Sequence, residues 1–165
     1  KPKKILEVGT AVAYSSLVMA EVLEGKTKIS TIENYEKRVL EARKNIKDSH
    51  YSNIIHLIEE DASKVLKELV EKKEKYDFIF MDAAKGQYIN WLEPVIKLLN
   101  KEGVLCSDNV LQGGDIVQSR YLIERRDRSI HSRLREYLYE LTHREELSTT
   151  ILSLGDGVAL TVLKK

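Results

Sequence analysis

Cysteine, net charge and long apolar runs are all scarce in this chain of 165 residues. The one cysteine, Cys106, excludes an internal disulfide framework and a cysteine-rich metal site, and predicts a reducing, cytoplasmic location. A formal net charge of +1 excludes a generally basic protein, so any contact with nucleic acid must come from a local patch. No apolar run approaches the ~20 residues of a membrane span, and no signal peptide is recognisable, so we expect no membrane association.

The composition is that of an ordinary globular protein. Hydrophobic residues make up 42% of the sequence and charged residues 32%, which argues against disorder. The length predicts a single domain over residues 1–165. Because the sequence enters an apolar strand almost at once and without methionine, we expect the intact protein to carry a segment before it.

Short apolar runs alternate with helical patterns along most of the chain. The runs predict strands at 5–8, 28–32, 54–58, 78–81 and 104–107, and the patterns predict helices at 15–24, 35–47, 63–73 and 88–99. A long Arg-rich helical pattern over 116–145 follows, with Asp127 as a candidate break. Ser15 or Ser16 is the expected cap of the first helix.

Two last strands, at 147–154 and 158–163, flank the sequence Gly155-Asp156-Gly157, which is typical of a hairpin turn. Strands that alternate with helices form right-handed βαβ units and a parallel sheet. The sequence therefore predicts an α/β fold with a mostly parallel sheet, helices on both faces and a C-terminal antiparallel hairpin at one edge.

Acidic residues stand where each of the predicted parallel strands ends, at Glu7, Glu33, Asp61, Asp82 and Asp108. Ligands of open α/β sheets bind at the carboxyl ends of the strands, at the point where the strand order reverses. Several acids at one edge repel one another and contribute nothing to a core. A cation or the hydroxyl groups of a ligand should therefore compensate some of them.

The first two strand ends predict a nucleoside-containing cofactor. Gly9 permits a tight turn, and Glu33 stands where an acid accepts hydrogen bonds from both ribose hydroxyls. The pattern G-x-G-x-x-G is absent, because Gly9 is followed by Thr-Ala-Val-Ala, so the close backbone approach that a pyrophosphate needs is missing. These residues alone do not choose between NAD and S-adenosylmethionine (SAM). The alternative is that Gly9 only makes a turn and Glu33 only caps a helix.

The fourth and fifth strand ends predict a metal site. Asp82 ends one strand, Asp108 and Asn109 end the next, and all three offer oxygen donors of the kind that Mg²⁺ prefers. Lys85 follows Asp82 closely, and a lysine beside a dication is a candidate general base. The alternative assigns the acids to helix caps and Lys85 to the surface. The four histidines (His50, His56, His131 and His143) show no zinc spacing, and Cys106 is expected to be an inert thiol inside a strand.

The Arg-rich stretch has two interpretations. Six arginines lie within sixteen residues, at 120, 125, 126, 128, 133 and 135. They suit phosphate binding, or else form a solvated helix face paired with Glu124, Asp127, Glu136 and Glu140. Tyr121, Tyr137 and Tyr139 could stack on bases, although Leu134, Tyr137, Leu138 and Leu141 at helical spacing are more simply a core face.

The segments ILEVGTAVAYSS, TIENYEKR, DFIFMDAAKGQY and GVLCSDNVLQGG resemble those of cation-dependent O-methyltransferases, the family of the catechol and caffeoyl-CoA enzymes. The last third of the chain is similar to the bacterial branch that methylates 5-hydroxyuridine at the wobble position of the tRNA anticodon. The resemblance implies a class I Rossmann-like methyltransferase fold with seven strands, and a homodimer when full length. Its substrate would be tRNA or, alternatively, a small catechol-like or caffeoyl-CoA-like molecule.

The resemblance also assigns roles to individual residues. It places SAM against Glu7, Gly9, Tyr14, Ser15 and Asp82, the ribose on Glu33, and the adenine near Asp61 and Ala62. It makes Asp82, Asp108 and Asn109 the ligands of Mg²⁺ or a similar cation, with Asp82 and Lys85 as the catalytic residues. Ala13 and Glu60 stand where the family has glycine, and Ala13 is expected to add a methyl group near the cofactor. A dehydrogenase and a catalytically silent RNA-binding module are the remaining alternatives.

Overall fold

Seven strands form one sheet in the computed structural model, which describes residues 1–164. They are β1 (Lys4–Val8), β2 (Lys28–Ile32), β3 (Ile55–Ile58), β4 (Tyr76–Met81), β5 (Leu99–Asp108), β6 (Leu147–Leu152) and β7 (Val158–Leu163). The spatial order is β3-β2-β1-β4-β5-β7-β6. The first five strands are parallel, whereas β7 runs antiparallel to both β5 and β6. The predicted parallel sheet with a C-terminal antiparallel hairpin is confirmed.

The helices cover both faces of the sheet. They are α1 (Tyr14–Val22), α2 (Glu36–Lys47), α3 (Ala62–Glu71), α4 (Tyr88–Leu98) and α5 (Arg128–His143), with short 3₁₀ helices at Lys85–Gln87 and Gln112–Val117. Buried residues of α1 and α2 share one apolar cluster with Ile5 and Ile29. Those of α3, α4 and α5 share a larger cluster with Leu6 and Val8. Neighbouring residues of β1 thus face opposite layers, as the period of two in a strand requires. Within residues 1–164, none of the helices has the length and apolar character needed to span a membrane.

The start of α1 differs from the prediction. Its N-cap is Ala13, in the left-handed region at φ 69°, and no side chain caps the helix. Ser15 and Ser16 instead donate their hydroxyl hydrogens to the carboxylate of Glu7. The prediction of a serine cap was wrong. A charged carboxylate forms stronger hydrogen bonds with these hydroxyls than the backbone groups at the helix start would form.

The Arg-rich stretch also differs, because only Arg128–His143 is an α-helix. Gly113 and Gly114 have φ angles of 61° and 96°, and residues 118–127 form turns and bends. The carbonyls of Tyr121 and Ile123 accept from the guanidinium of Arg128 instead of from helical amides, so the helix expected from residue 116 begins only after Asp127, the candidate break. On α5, the side chains of Leu134, Tyr137 and Leu141 are fully buried, which confirms the predicted core face.

The strand order reverses between β1 and β4, and this places a crevice above their carboxyl ends. Gly9 has φ 103°, and an added Cβ would lie 2.1 Å from the carbonyl oxygen of Asp82. The amide of Asp82 donates to the carbonyl of Val8 at 3.0 Å, so the two strand ends are in direct backbone contact. Gly9 is therefore required by the approach of β4, in addition to the turn predicted from the sequence.

Candidate active site

An open cavity of about 640 Å³ lies in this crevice, at the carboxyl ends of β1, β2, β3 and β4. Its volume is in the range of small-molecule and cofactor sites. The predicted cofactor residues that line it are Gly9, Glu33, Asp61, Ala62 and Asp82. Sequence reasoning missed other lining residues, among them Tyr35, Arg38 and Trp91.

Glu33 is 8% exposed, and its carboxylate joins the loop after β1 to the loop after β2 at one side of the cavity. One carboxylate oxygen accepts the amides of Asn34 at 3.1 Å and Tyr35 at 3.0 Å, and the other accepts the amide of Ala11 at 3.0 Å. A carboxylate has about four acceptor positions, so capacity for a ligand hydroxyl remains. The helix-cap alternative is wrong, because the N-cap of α2 is Tyr35 without a side-chain hydrogen bond; Glu33 holds the amides that precede the helix and lines the cavity.

The opposite side of the cavity is formed by the start of α3. Asp61 is its N-cap, and the carboxylate accepts the amides of Ser63 at 2.9 Å and Lys64 at 3.3 Å. The indole Nε1 of Trp91 donates to Oγ of Ser63 at 3.0 Å. The sequence placed Trp91 only in the apolar stripe of its helix. Trp91 is the only tryptophan of the chain, and a buried indole N–H usually needs a hydrogen-bond partner. These two facts could have indicated a further role from the sequence.

Glu7, Tyr14 and Ser15 are not among the residues that line the cavity, although the resemblance places the cofactor against them. Glu7 is fully buried beneath the loop after β1, where its carboxylate accepts hydroxyl hydrogens from Ser15, Ser16 and Thr31. Burial raises the pKa of the Glu7 carboxyl, and the three hydroxyl hydrogen bonds oppose that increase only partly. In this structure Glu7 joins β1 to the first turn of α1 and to β2, and Tyr14 is 75% exposed at that first turn.

Ala13 and Glu60, the two departures from the family pattern, have separate explanations. Ala13 is fully buried in the cluster with Ile5 and Ala20, so the expected methyl group beside the cofactor is instead in the core. A left-handed φ explains why glycine suits this position. Glu60 lines the cavity and forms an i,i+4 ion pair with Lys64.

Asp82 and Asp108 lie at the ends of neighbouring strands, as predicted. Met81 pairs with Ser107 in the parallel ladder, and these residues directly precede the two acids. The ammonium of Lys85 lies 2.7 Å from Oδ1 of Asp82, and its side chain is only 18% exposed. The acid and the lysine predicted from the sequence are therefore brought together as an ion pair at the edge of the cavity, with the lysine largely buried and the Asp82 side chain 45% exposed.

Asn109 continues the same strand end. Its φ of 54° is in the left-handed region, which asparagine tolerates better than most residues. The Asn109 amide N–H donates to Oδ1 of Asp108 at 2.7 Å, and its side-chain Nδ2 lies 3.5 Å from Oδ2 of Asp156. Residues 1–164 contain no group of three or more His, Cys, Asp or Glu side chains that could hold a metal. A third donor beside the two acids would thus be the amide oxygen of Asn109.

Residues 118–128, called the basic segment from here on, follow this strand end along the chain. The chain reaches the segment directly from Asn109 through the second 3₁₀ helix, and α5 returns against the first one, where Arg133 donates to the carbonyl of Gly86 at 3.3 Å. Tyr121 and Leu122 are 86% and 75% exposed. The segment thus connects the chain that leaves Asp108 and Asn109 to α5, which packs against the 3₁₀ helix that begins at Lys85.

The six arginines do not form the salt-bridged helix face that was the simpler interpretation. Of these six, within the described residues 1–164, Arg126 alone pairs with carboxylates, those of Glu124 at 3.0 Å and Asp127 at 3.4 Å. Arg128 donates instead to the carbonyls of Ile123 and Tyr121, and its charge thus stays uncompensated. Arg120 and Arg125 are exposed.

The chain is similar to proteins of known family along its whole length. A sequence profile of the O-methyltransferase family matches residues 1–165. The flavonoid 3',5'-methyltransferase of Vitis vinifera is 33% identical over 165 residues, covering 96% of this chain and 69% of that protein. A caffeoyl-CoA O-methyltransferase of Citrus natsudaidai is 31% identical over 172 residues, covering 96% of this chain and 70% of that protein. The crystal structure of an O-methyltransferase from Bacillus cereus in complex with SAH has a TM-score of 0.87 at 26% identity, covering 99% of this chain and 74% of that chain.

These similarities agree with the fold and with the crevice at the switch point. They exclude the dehydrogenase alternative, which already lacked its glycine pattern. The expected Rossmann-like methyltransferase architecture is confirmed by the sheet order and by the structural neighbours. This chain belongs to the O-methyltransferase family of the caffeoyl-CoA and catechol enzymes, and it is a SAM-dependent O-methyltransferase.

Proposed function

We propose that the protein is a divalent-cation-dependent O-methyltransferase that converts 5-hydroxyuridine of the tRNA anticodon to 5-methoxyuridine. The observation that carries the proposal is the position of the basic segment. It follows the strand end of Asp108 and Asn109 along the chain and leads into α5, whose Arg133 contacts Gly86 next to Lys85, and its exposed side chains include Tyr121. We infer that RNA bound by this segment reaches the site of methyl transfer.

The residues at the strand ends fit a hard divalent cation. Asp82, Asp108 and Asn109 would hold it through two carboxylates and an amide oxygen, the donor set that Mg²⁺ prefers. A bound cation would hold two neighbouring oxygens of the acceptor and favour ionisation of the hydroxyl to be methylated. In 5-hydroxyuridine, the 5-hydroxyl and the O4 carbonyl are such neighbouring oxygens.

Lys85 is the group that handles the proton of the acceptor hydroxyl. As the free amine its Nζ accepts that proton, and as the ammonium it stabilises the oxyanion that remains. Asp82 holds Nζ at 2.7 Å, which keeps the lysine at the edge of the cavity. Glu33 would hold the ribose of SAM, which supplies the methyl group, and the start of α3 would border the adenine. Catalysis then depends mainly on the relative position of the two substrates.

The basic segment supports RNA as the acceptor. Guanidinium groups bind phosphates, and exposed aromatic rings stack on unpaired bases such as those of an anticodon loop. Arg120 and Arg125 are exposed and belong to the uncompensated charges. A small acceptor needs neither this charge nor Tyr121.

A small catechol-like acceptor is the second candidate. The named relatives act on flavonoid and caffeoyl-CoA substrates, and a catechol presents the same pair of adjacent oxygens. The chemistry at Asp82, Lys85 and Asp108 would be the same for both. The acceptor itself must therefore be tested.

The direct test offers the enzyme an anticodon stem-loop containing 5-hydroxyuridine and, separately, a catechol, each with SAM. We expect Mg²⁺-dependent methylation of the RNA, detected by mass spectrometry of its nucleosides, and loss of turnover with excess chelator. Full activity in chelator would contradict the cation dependence. Methylation of the catechol alone would favour the second candidate.

The second test removes the exposed arginines. The double variant Arg120→Ala/Arg125→Ala should raise the KM for RNA and lower the slope of log KM against log salt by roughly 0.7 for each phosphate that is no longer neutralised. Arg128 is left in place because its hydrogen bonds to Ile123 and Tyr121 hold the segment together. Lys44→Ala/Lys47→Ala on α2 removes the same charge elsewhere and serves as the control. If both variants have the same KM and slope as the wild type, the basic segment does not bind RNA.

A further inference from the structure

A buried tyrosine hydroxyl connects the strand ends that carry the proposed metal ligands. We infer that Tyr88, the first residue of α4, is a positioning residue that holds the ends of β4 and β5 at the spacing needed by Asp82 and Asp108. The inference rests on the proposed function. Neither the sequence patterns nor the similarities to known proteins assign a role to this side chain, which the sequence analysis placed only in the apolar stripe of a helix.

Four polar groups surround the hydroxyl oxygen of Tyr88. The carbonyl oxygen of Met81 is at 2.9 Å and that of Asp108 is at 3.3 Å. On the other side, Nζ of Lys85 lies at 3.1 Å and the amide nitrogen of Ala83 lies at 3.3 Å. The hydroxyl thus contacts the backbone on both sides of Asp82 and the backbone of Asp108 itself.

The hydrogen-bonding capacity of one hydroxyl accounts for this arrangement. Its single hydrogen is directed to the carbonyl of Met81, with that of Asp108 as the more distant acceptor, and its two lone pairs accept from Lys85 and Ala83. The side chain is fully buried, and burial raises its pKa, so the hydroxyl keeps its hydrogen. Phenylalanine would leave buried backbone groups at both strand ends without this partner.

The position of the hydroxyl explains why it matters for the acids. The last ladder pair of β4 and β5 is Met81 with Ser107, so no strand pairing holds Asp82 against Asp108. Tyr88 supplies a connection beyond that pair. The ring is itself held by Tyr137, whose centroid is 5.4 Å away at an interplanar angle of 68°. The spacing of the acids therefore depends on a rigid side chain from the core.

The test compares two conservative variants, Tyr88→Phe and Tyr137→Phe. Both delete one hydroxyl from the same aromatic pair, but Tyr137 bonds only the side chain of Ser107, at 2.6 Å. Mn²⁺ is titrated into each protein without substrate and followed by calorimetry. Loss of a group that orients metal ligands typically weakens metal binding by ~10–100-fold. We expect about a 10-fold increase in the Mn²⁺ Kd for Tyr88→Phe, because three of its four polar contacts are with backbone and none is with a ligand side chain, and less than about a 2-fold change for Tyr137→Phe.

Two further measurements separate this role from a general loss of stability. In turnover assays, Tyr88→Phe should raise the KM for the cation and keep most of the kcat at saturating cation. Without any metal, the amide of Ala83 should exchange its hydrogen faster in Tyr88→Phe than in the wild type. Equal exchange and an unchanged Mn²⁺ Kd would overturn the inference, and so would equal losses of Mn²⁺ affinity in the two variants.

The proposed metal site is tested separately with Asp108→Ala. If that variant binds no Mn²⁺ and Tyr88→Phe binds it as tightly as the wild type, the metal site stands and the role of Tyr88 is wrong. If Asp108→Ala binds Mn²⁺ as tightly as the wild type, the proposed metal site is wrong and Tyr88 has no ligands to position.

Discussion

The two halves of the crevice are built differently. On the side of β2 and β3, Glu33 and Asp61 are held by amide donors, including those of Ala11 and Ser63. On the side of β4 and β5, Asp82 is held by the charged side chain of Lys85. The first half, called the cofactor half from here on, is thus ordered by backbone. In the second, the acceptor half, the Lys85 side chain holds Asp82 and the amide of Asn109 holds Asp108.

The difference indicates how the two functions divide. Backbone amides are present whatever the sequence, so the cofactor half suits a ligand shared by a whole family. Side-chain charges change with each substitution, so the acceptor half can adapt to different substrates. We therefore expect variants of the acceptor half to alter turnover and those of the cofactor half to alter SAM affinity.

The largest effect should come from the acceptor half, with Asp108→Ala. A bound metal ion stabilises the transition state by several kcal/mol, so loss of a ligand should lower kcat by ~100-fold or more. The Kd for SAM should change less than about 3-fold. Turnover assays and calorimetry with SAM measure the two quantities. Asp115→Ala, a nearby acid that bonds Gln118, is the control. If Asp108→Ala loses SAM binding together with turnover, the proposed division of function between the two halves is wrong.

In the cofactor half, Glu33→Ala should weaken SAM binding by roughly 1.5–3 kcal/mol, or about 10- to 150-fold, because the ribose loses a charged acceptor. Calorimetric titration measures the Kd, with the exposed Glu36→Ala as the control. Glu33→Gln keeps one acceptor oxygen and should lie between the wild type and Glu33→Ala. Wild-type affinity in Glu33→Ala would show that the residue only holds the amides of Ala11, Asn34 and Tyr35.

Glu7 sharpens the comparison, because it is a carboxylate of the cofactor half that is held by hydroxyls instead of amides. Its pKa is raised in the folded state, mainly by burial, so the native protein binds this proton more tightly than the unfolded chain. Stability should therefore fall as pH rises above the unfolded pKa near 4.5, with a slope of at most about 1.4 kcal/mol per pH unit.

Glu7→Gln should remove that contribution. Denaturant unfolding at several values from about pH 4 to about pH 8, upward from the ordinary pKa of a carboxylic acid, measures the free energy of unfolding of both proteins. The contribution of Glu7 is the difference between wild type and variant. We expect the variant to gain stability relative to the wild type as the pH rises. The reverse trend would mean that the three hydroxyl groups stabilise the charged carboxylate more than burial destabilises it.

The smallest effect is expected for Ala13→Gly. Glycine relieves about 1 kcal/mol of left-handed strain but loses a buried methyl group worth about 0.8 kcal/mol, so the net change in unfolding free energy should be close to zero. Ala20→Gly, buried in the middle of α1, should cost about 1.5–2 kcal/mol because no strain is relieved there. SAM affinity should be unchanged in Ala13→Gly. A clear gain in affinity would place the methyl group of Ala13 against the cofactor after all.

Sequence reasoning worked best where the signal is local. Alternating apolar runs placed every strand of the sheet, and the acids at the strand ends pointed to Glu33, Asp61 and Asp82, which do line the cavity. It failed over residues 118–127, where the guanidinium of Arg128 binds the carbonyls of Tyr121 and Ile123 and the chain forms turns and bends. It also assigned Trp91 and Tyr88 to a core stripe, because periodicity records which face is buried and not which polar atom of a ring finds a partner.

The sequence by itself determined the order of strands and helices and the acids that end the strands, because periodicity and turn residues act over a few neighbouring positions. The tertiary structure alone decided how those acids are held. The hydroxyls on Glu7, the amide of Ala11 on Glu33 and the Tyr88 bridge between Met81 and Asp108 join residues of separate elements. Such contacts depend on how strands pair and helices pack, and no local pattern along the chain encodes them.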